Sequence, residues 1–282
     1  MTISSERFRY DGADGTGLAA VRWSGTAKPR AVIQLAHGAG EHSMRYLEPL
    51  TPIIEAGYVV YGADHRGHGM TAGVANLGDF GPGGPVAAID DMAVLARLIR
   101  KREPGLPLVL LGHSMGAMFA RIWLGEHSAL INALVLSGTA GPGPMSGHDL
   151  NAVLTPRRTP YDWLTRDEAE VDRYISDPLC GIRLTPDSRA SFLSLRDRPL
   201  DLPKLASARE GLPVYIFAGD ADPINEGLVR LRPLVDAFEA ALFDVTLRVY
   251  PGGRHEMLFE LNRAEIVADL QAWLDTHVPR DG

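Results

Sequence analysis

The chain has 282 residues, 45% hydrophobic and 22% charged, with a formal net charge of −7. That supplies enough apolar material for one sizeable core, and the acidic balance argues against nucleic acid or an anionic membrane as the main partner. A single cysteine, Cys180, excludes an internal disulfide framework and a cysteine-rich metal site, and is read as a packing residue. Residues 1–10 hold no basic segment followed by an apolar core, and no apolar run reaches transmembrane length, so a cytoplasmic protein is expected.

In chain order, residues 8–10 and 18–23 flank a turn-rich Asp11-Gly12-Ala13-Asp14-Gly15 and read as an antiparallel strand pair. The apolar run 31–36 reads as a buried strand ending in His37-Gly38-Ala39-Gly40. Residues 46–56 read as a helix, with Leu47, Leu50, Ile53 and Ile54 at helical spacing and Gly57 as its stop. A strand at 58–61 leads into Asp64-His65-Arg66-Gly67-His68-Gly69. The segment 86–102 is a helix, with Ile89, Met92, Ala96 and Ile99 on one face and a basic end that suits the helix dipole. Strands are expected at 108–111, 133–136, 214–217 and 245–250, and helices at 117–126, 227–241 and 266–274. Short apolar strands alternating with amphipathic helices imply an α/β fold with a mostly parallel central sheet covered on both faces. Residues 142–205 break the alternation: the segment opens on Pro and Gly, is rich in Pro, Arg and Asp, and holds helix-like pieces at 167–175 and 188–195. It reads as an insertion over the strand ends, dividing the chain into a core of 1–141 and 206–282 and a cap of 142–205.

The most informative stretch is Gly112-His113-Ser114-Met115-Gly116, between a predicted strand and a predicted helix. Two glycines around a central serine permit a turn so tight that the hydroxyl is pushed out at the carboxyl edge of the sheet, the geometry of a nucleophile elbow. The pentapeptide alone would occur by chance in roughly one chain in ten of this length, so its context carries the weight. A serine hydroxyl needs a base, and the base an orienting carboxylate, in the chain order Ser, acid, His. His255, in Pro251-Gly252-Gly253-Arg254-His255 directly after a strand, is the base; His277 reads as a solvated residue past the last helix. Gly219-Asp220-Ala221-Asp222-Pro223 supplies the acid, with Asp222 favoured over Asp220, which reads as a turn-capping carboxylate. The oxyanion donors expected are the backbone N–H groups of Met115 and of Ala39, in the glycine-flanked loop after an earlier strand. Asp64, His65 and His68 read as a loop-stabilising network rather than metal ligands, His113 as a structural residue, and His42 as a tie for the oxyanion loop.

These residues resemble the α/β-hydrolase superfamily, and within it the monoacylglycerol lipase and lysophospholipase group, often labelled serine aminopeptidase S33-like. The likeness is carried by His37-Gly38-Ala39-Gly40-Glu41-His42 with Arg45-Tyr46, by Asp64-His65-Arg66-Gly67-His68-Gly69 and by the serine pentapeptide. It continues through Glu170-Val171-Asp172 and Ser176-Asp177-Pro178-Leu179 to Asp222 and His255, nearly the whole chain. The resemblance implies hydrolysis of carboxylic esters of a lipid-like substrate such as a monoacylglycerol or lysophospholipid, with a cap forming a groove for an acyl chain. It supports Asp222 over Asp220, and Ala39 and Met115 as oxyanion donors. No metal or organic cofactor is expected, and transient contact with a membrane or micelle would run through the cap. The cap is shorter and richer in Pro and Gly than in relatives; Met145, Leu150, Val153, Leu154, Tyr161 and Trp163 are candidates to line an acyl pocket. Two other readings stand beside this one. An amidase or aminopeptidase would need a cap carboxylate, Glu168 or Glu170, for a substrate ammonium; a non-catalytic binding protein would keep the scaffold without the chemistry. Acyl-chain length, head group and oligomeric state are not legible.

Overall fold

Along the central strands, successive side chains alternate between two cores, as the period of two requires. In the strand 108–113, Leu108 and Leu110 join one apolar cluster, and Val109 and Leu111 the other. Every residue of that strand is buried, which is the signature of a parallel strand covered on both faces. The computed structural model describes residues 2–144, 149–152, 154 and 156–278.

The chain begins with β1 (Ser4–Asp11) and β2 (Gly17–Ser24), paired antiparallel across the turn at 12–16. Then follow β3 (Ala31–Ala36), a 3-10 turn at Ser43–Tyr46, α1 (Leu47–Glu55), β4 (Tyr58–Ala63), the single turn α2 (Gly69–Ala72) and α3 (Gly84–Arg102). β5 (Leu108–His113), α4 (Met115–His127) and β6 (Ala133–Ser137) complete the first part of the sheet. Across the irregular stretch come α5 (Glu168–Ser176), α6 (Pro186–Arg196) and α7 (Leu202–Ala206). β7 (Pro213–Gly219), α8 (Arg232–Ala240), β8 (Asp244–Tyr250) and α9 (Arg263–His277) close the chain.

The eight strands form one sheet in the order β1-β2-β4-β3-β5-β6-β7-β8. β2 pairs antiparallel with β1 and β4, and all other pairings are parallel. One core packs α3, α4 and α8 against the sheet through Met92, Phe119 and Phe238; the other packs α1 and α9 through Ile53, Leu270 and Trp273. This is the α/β-hydrolase fold.

The structure differs from the sequence expectation at four places. The helix expected at 227–241 starts only at Arg232, because Glu226 and Leu228 take left-handed φ values of 50° and 72°. α1 is preceded by a 3-10 turn rather than starting at Tyr46. His277 is not a solvated tail residue: it ends α9, its ring stacks on Trp273 at 4.4 Å, and its Nδ1 pairs with the Trp273 carbonyl at 2.9 Å. α7, with five residues and Pro203 in its first turn, is too short to show periodicity and was not expected. Among the described residues, no helix is long and apolar enough to cross a membrane.

Candidate active site

Four loops leave the carboxyl ends of β3, β5, β7 and β8 side by side, where ligands gather in open parallel sheets. Ser114 sits between β5 and α4 with φ 53° and ψ −114°, a strained conformation for a residue with a side chain. Both flanking glycines are required by contact. A Cβ on Gly112 would lie 2.7 Å from the Gly116 carbonyl oxygen, and one on Gly116 would overlap the Ala36 carbonyl. The Ser114 N–H donates to the Ser137 carbonyl at 2.9 Å, which pins the turn to β6.

The Ser114 hydroxyl lies 2.9 Å from His255 Nε2, and His255 Nδ1 lies 3.0 Å from Asp222 Oδ2. His255 and Asp222 are both buried, while Ser114 is partly open. The second Asp222 oxygen accepts from the Ile224 N–H at 2.8 Å, which fixes the carboxylate plane. Asp220 is exposed and accepts instead from the Gly252 N–H at 2.7 Å, lacing the acid loop to the histidine loop. The two loops approach so closely that a Cβ on Gly219 would overlap the Gly253 carbonyl. Burial opposes a charge on His255, but the Asp222 carboxylate beside it outweighs burial and raises its pKa above 6.5. His113, whose ring lies 4.9 Å from that of His255, is driven the other way by burial and by the neighbouring imidazole.

The loop after β3 presents the second oxyanion candidate. Gly38 packs against Ser114: a Cβ there would come 3.1 Å from the Ser114 Cβ. Ala39 is exposed, and Met115 is the first residue of α4, whose leading N–H groups have no helical acceptor. Among the described residues, neither amide is taken by a protein acceptor.

A buried clamp holds this loop, and sequence reading did not assemble it. Glu41 Oε1 accepts from the Gly38 N–H at 2.5 Å and the Tyr46 hydroxyl at 2.7 Å. Arg45 reaches the other Glu41 oxygen at 2.5 Å and is bidentate on Glu256 at 2.7 and 2.8 Å. Arg45 also lies over the Phe259 ring at 4.3 Å and the Tyr174 ring at 4.8 Å. The charge of Arg45 keeps Glu41 ionised against its burial. The only sequence signal was the proximity of Glu41 to the glycines; Glu256 lies 211 residues from Arg45, and nothing in the sequence links them.

The insertion is tied to both halves of the site. The Tyr174 hydroxyl and the Gly181 N–H both donate to the Gly40 carbonyl, at 2.9 and 2.8 Å. His42 Nε2 pairs with Asp177 Oδ2 at 2.9 Å. On the other side, the Glu256 N–H donates to the Leu164 carbonyl at 2.7 Å, and Arg254 to the Asp162 carbonyl at 2.6 Å. Of the expected pocket residues, Trp163 has its ring 4.9 Å from that of His255 and shares a cavity of about 480 Å³ with Leu150. Tyr161 donates to the Gly181 carbonyl at 3.2 Å and lies beside Tyr174, at the seam with the oxyanion loop. Leu154 is half-buried in a turn closed by its own N–H on Asn151, with no described contact to Ser114 or His255. Met145 and Val153 lie outside the described residues.

Asp64 accepts from the Ser43 N–H and hydroxyl and from the Met70 N–H, at 2.6 to 2.8 Å, so it holds loops together. Cys180 is partly buried, and burial pushes its thiol well above the usual range.

Fold and site together define a serine-elbow α/β-hydrolase. A family model for "Serine aminopeptidase, S33" matches residues 27–262, and the chain belongs to that family. It is 32% identical to human monoglyceride lipase, over 96% of this chain and 90% of the relative. It is 30% identical to the monoacylglycerol lipase of Mycolicibacterium smegmatis, over 98% of this chain and all of the relative. A thermostable carboxyl esterase from Bacillus coagulans, solved with glycerol, superposes with a TM-score of 0.89 at 26% identity, covering 98% of this chain and 100% of the other.

Proposed function

We propose that this chain hydrolyses carboxylic esters of a small lipid, a monoacylglycerol foremost, through an acyl-enzyme. The observation that carries the reading is the continuous hydrogen-bonded line Asp222–His255–Ser114, ending on a strained serine beside two unoccupied amides. In this reading the Ser114 oxygen attacks the ester carbonyl while its proton passes to His255 Nε2. Asp222 holds the ring in the tautomer with the proton on Nδ1. The Ala39 and Met115 N–H groups receive the oxyanion. His255 then gives the proton to the departing alcohol, and water repeats the sequence to release the acid. The insertion 142–205 serves as the cap, with Trp163 at the wall nearest His255. The human and mycobacterial relatives support monoacylglycerol as the substrate; a lysophospholipid is the second candidate.

The aminopeptidase reading needs a free cap carboxylate. Glu170 is buried and paired with Arg173 and Arg263, and Glu168 is exposed and faces Arg158 at 3.7 Å. Glu170 is thus committed to its arginines, while Glu168 is held only by a loose exposed ion pair.

Two measurements test the proposal. A fluorophosphonate probe labels the folded protein, and labelling is lost in Ser114→Ala; failure of the folded protein to label would overturn the chemistry. Monoacylglycerol turnover exceeds that of aminoacyl anilides; the reverse order would overturn the substrate class.

A further inference from the structure

Beside the oxyanion loop, three side chains of different chemistry converge outside the serine–histidine–aspartate line. His42 Nε2 lies 2.9 Å from Asp177 Oδ2. The Cys180 thiol completes a group whose potential ligand atoms all lie within 4.8 Å of one another. His42 comes from the loop after β3, Asp177 from the end of α5, and Cys180 from the turn that follows. That turn is closed by the Cys180 N–H on the Asp177 carbonyl at 3.0 Å, which sets the two side chains in register. The free Asp177 oxygen accepts from the Leu179 N–H at 2.9 Å, so the carboxylate is already oriented.

We propose that His42 Nε2, an Asp177 carboxylate oxygen and the Cys180 thiolate form a zinc site, with water as the fourth ligand. Imidazole, carboxylate and thiolate are the donors zinc takes, and three protein ligands plus water is a common four-coordinate arrangement. The soft thiolate disfavours magnesium and calcium, which take oxygen ligands. Charge supports the assignment: one thiolate and one carboxylate neutralise the dication, which a partly buried site favours. Ligands about 2.0–2.1 Å from a tetrahedral ion stand roughly 3.3 Å apart, so the His42–Asp177 contact opens by a few tenths of an ångström. With Zn–S about 2.3 Å the thiol must stand roughly 3.6 Å from each of them, so Cys180 closes in from a group that now spans up to 4.8 Å. On the His42 side, an open cavity of about 460 Å³, lined also by Leu179, Met44 and Met70, borders the group. Binding forms the Zn–S, Zn–N and Zn–O bonds and releases the thiol proton to solvent. The His42 proton moves from Nε2 to Nδ1, and nothing is oxidised or reduced. The ion would join the oxyanion loop to the insertion a few residues from Ala39, where Gly40 already accepts two hydrogen bonds from the insertion.

The test is a Co²⁺ titration of the full chain followed by absorbance, with Zn²⁺ as competitor. Since the chain has one cysteine, any thiolate-to-cobalt charge-transfer band reports Cys180 alone. The expected result is saturation at one equivalent, with that band and the intense visible bands of tetrahedral cobalt, both abolished by added Zn²⁺. Cys180→Ser removes the charge-transfer band, and His42→Gln or Asp177→Asn weakens binding roughly tenfold or more, with circular dichroism confirming the fold of each. If one of the latter two misfolds, the other decides. A missing charge-transfer band at saturating cobalt, or unchanged affinity in a folded His42→Gln or Asp177→Asn variant, would overturn the site.

Discussion

Lowering the pH from 8 to 5.5 will remove a large share of this protein's stability before its ordinary carboxylates titrate. Four histidines, His37, His65, His68 and His113, are buried with 0 to 7% exposure. Burial lowers the pKa of each, that of His68 to about 4. His65 and His68 each hold a ring Nε2 with no hydrogen-bond partner among the described residues, and the rings of His65 and His68 lie 4.4 and 5.4 Å from that of His37. A proton on one ring is therefore opposed by its neighbours as well as by desolvation. The unfolded chain binds protons at these positions near pH 6.5 and the folded chain does not. Stability is thus present above that pH and lost as pH falls toward the folded values. Asp64 and Glu41 favour a charge on His37 and His68 but do not outweigh burial. For His68, whose folded value falls to about 4, the loss is about 1.4 kcal/mol per pH unit below pH 6, and the other three add in the same direction. Urea unfolding followed by tryptophan fluorescence at pH 8, 6.5 and 5.5 measures it. His68→Phe removes one proton-binding group and flattens the slope by about 1.4 kcal/mol per unit. A midpoint that does not move between pH 8 and 5.5 would refute the argument.

His255, the proposed general base, behaves oppositely: because its pKa is raised, kcat/KM for a soluble ester rises with pH through a midpoint above 6.5. Asp222→Asn lowers kcat by roughly 10³–10⁴-fold while fluorophosphonate labelling slows without a loss of fold, as stopped assays and circular dichroism will register. Arg45→Met leaves Glu41 and Glu256 buried without their counter-ion, costing about 3–5 kcal/mol in chemical denaturation. Gly116→Ala, whose methyl would overlap the Ala36 and His37 carbonyls, yields little folded protein, scored as the soluble fraction after expression.

What could be read from the sequence was what local chemistry dictates. The glycines around Ser114 announced a turn that nothing bulkier allows, and β3, β5, β6 and β7 announced themselves by runs of apolar residues buried on both faces. The contact of His255 with Asp222 was legible only through chain order. What failed was set by tertiary contact. Glu226 and Leu228 carry no mark of left-handed backbone, yet they delay α8 by five residues from the expected start at 227. His277 looked solvated because no spacing rule shows that Trp273 will lie under it. The Arg45 clamp was invisible because its partners come from opposite ends of the chain, and an ion triad is specified by burial rather than spacing.

His255 sets function against stability. Its raised pKa means that the protonated ring stabilises the fold below pH 6.5, and that this contribution is lost as pH rises through the folded value. The form able to take the serine proton is therefore the form that stabilises the fold least. His37, His65, His68 and His113 run in the reverse sense, contributing stability on the alkaline side where His255 loses its share. Two of them touch the catalytic loops directly: His113 lies against His255, and His37 Nε2 accepts from the His65 N–H at 3.0 Å behind the oxyanion loop. Neutral imidazoles around the site thus favour the pH range in which the base is free. One substitution separates the two roles. His113→Asn removes a buried imidazole that stays neutral while His255 titrates, so it flattens the acid limb of the unfolding curve and leaves the kcat/KM midpoint in place. An unchanged acid limb in a folded variant, or a midpoint that shifts, would refute this division.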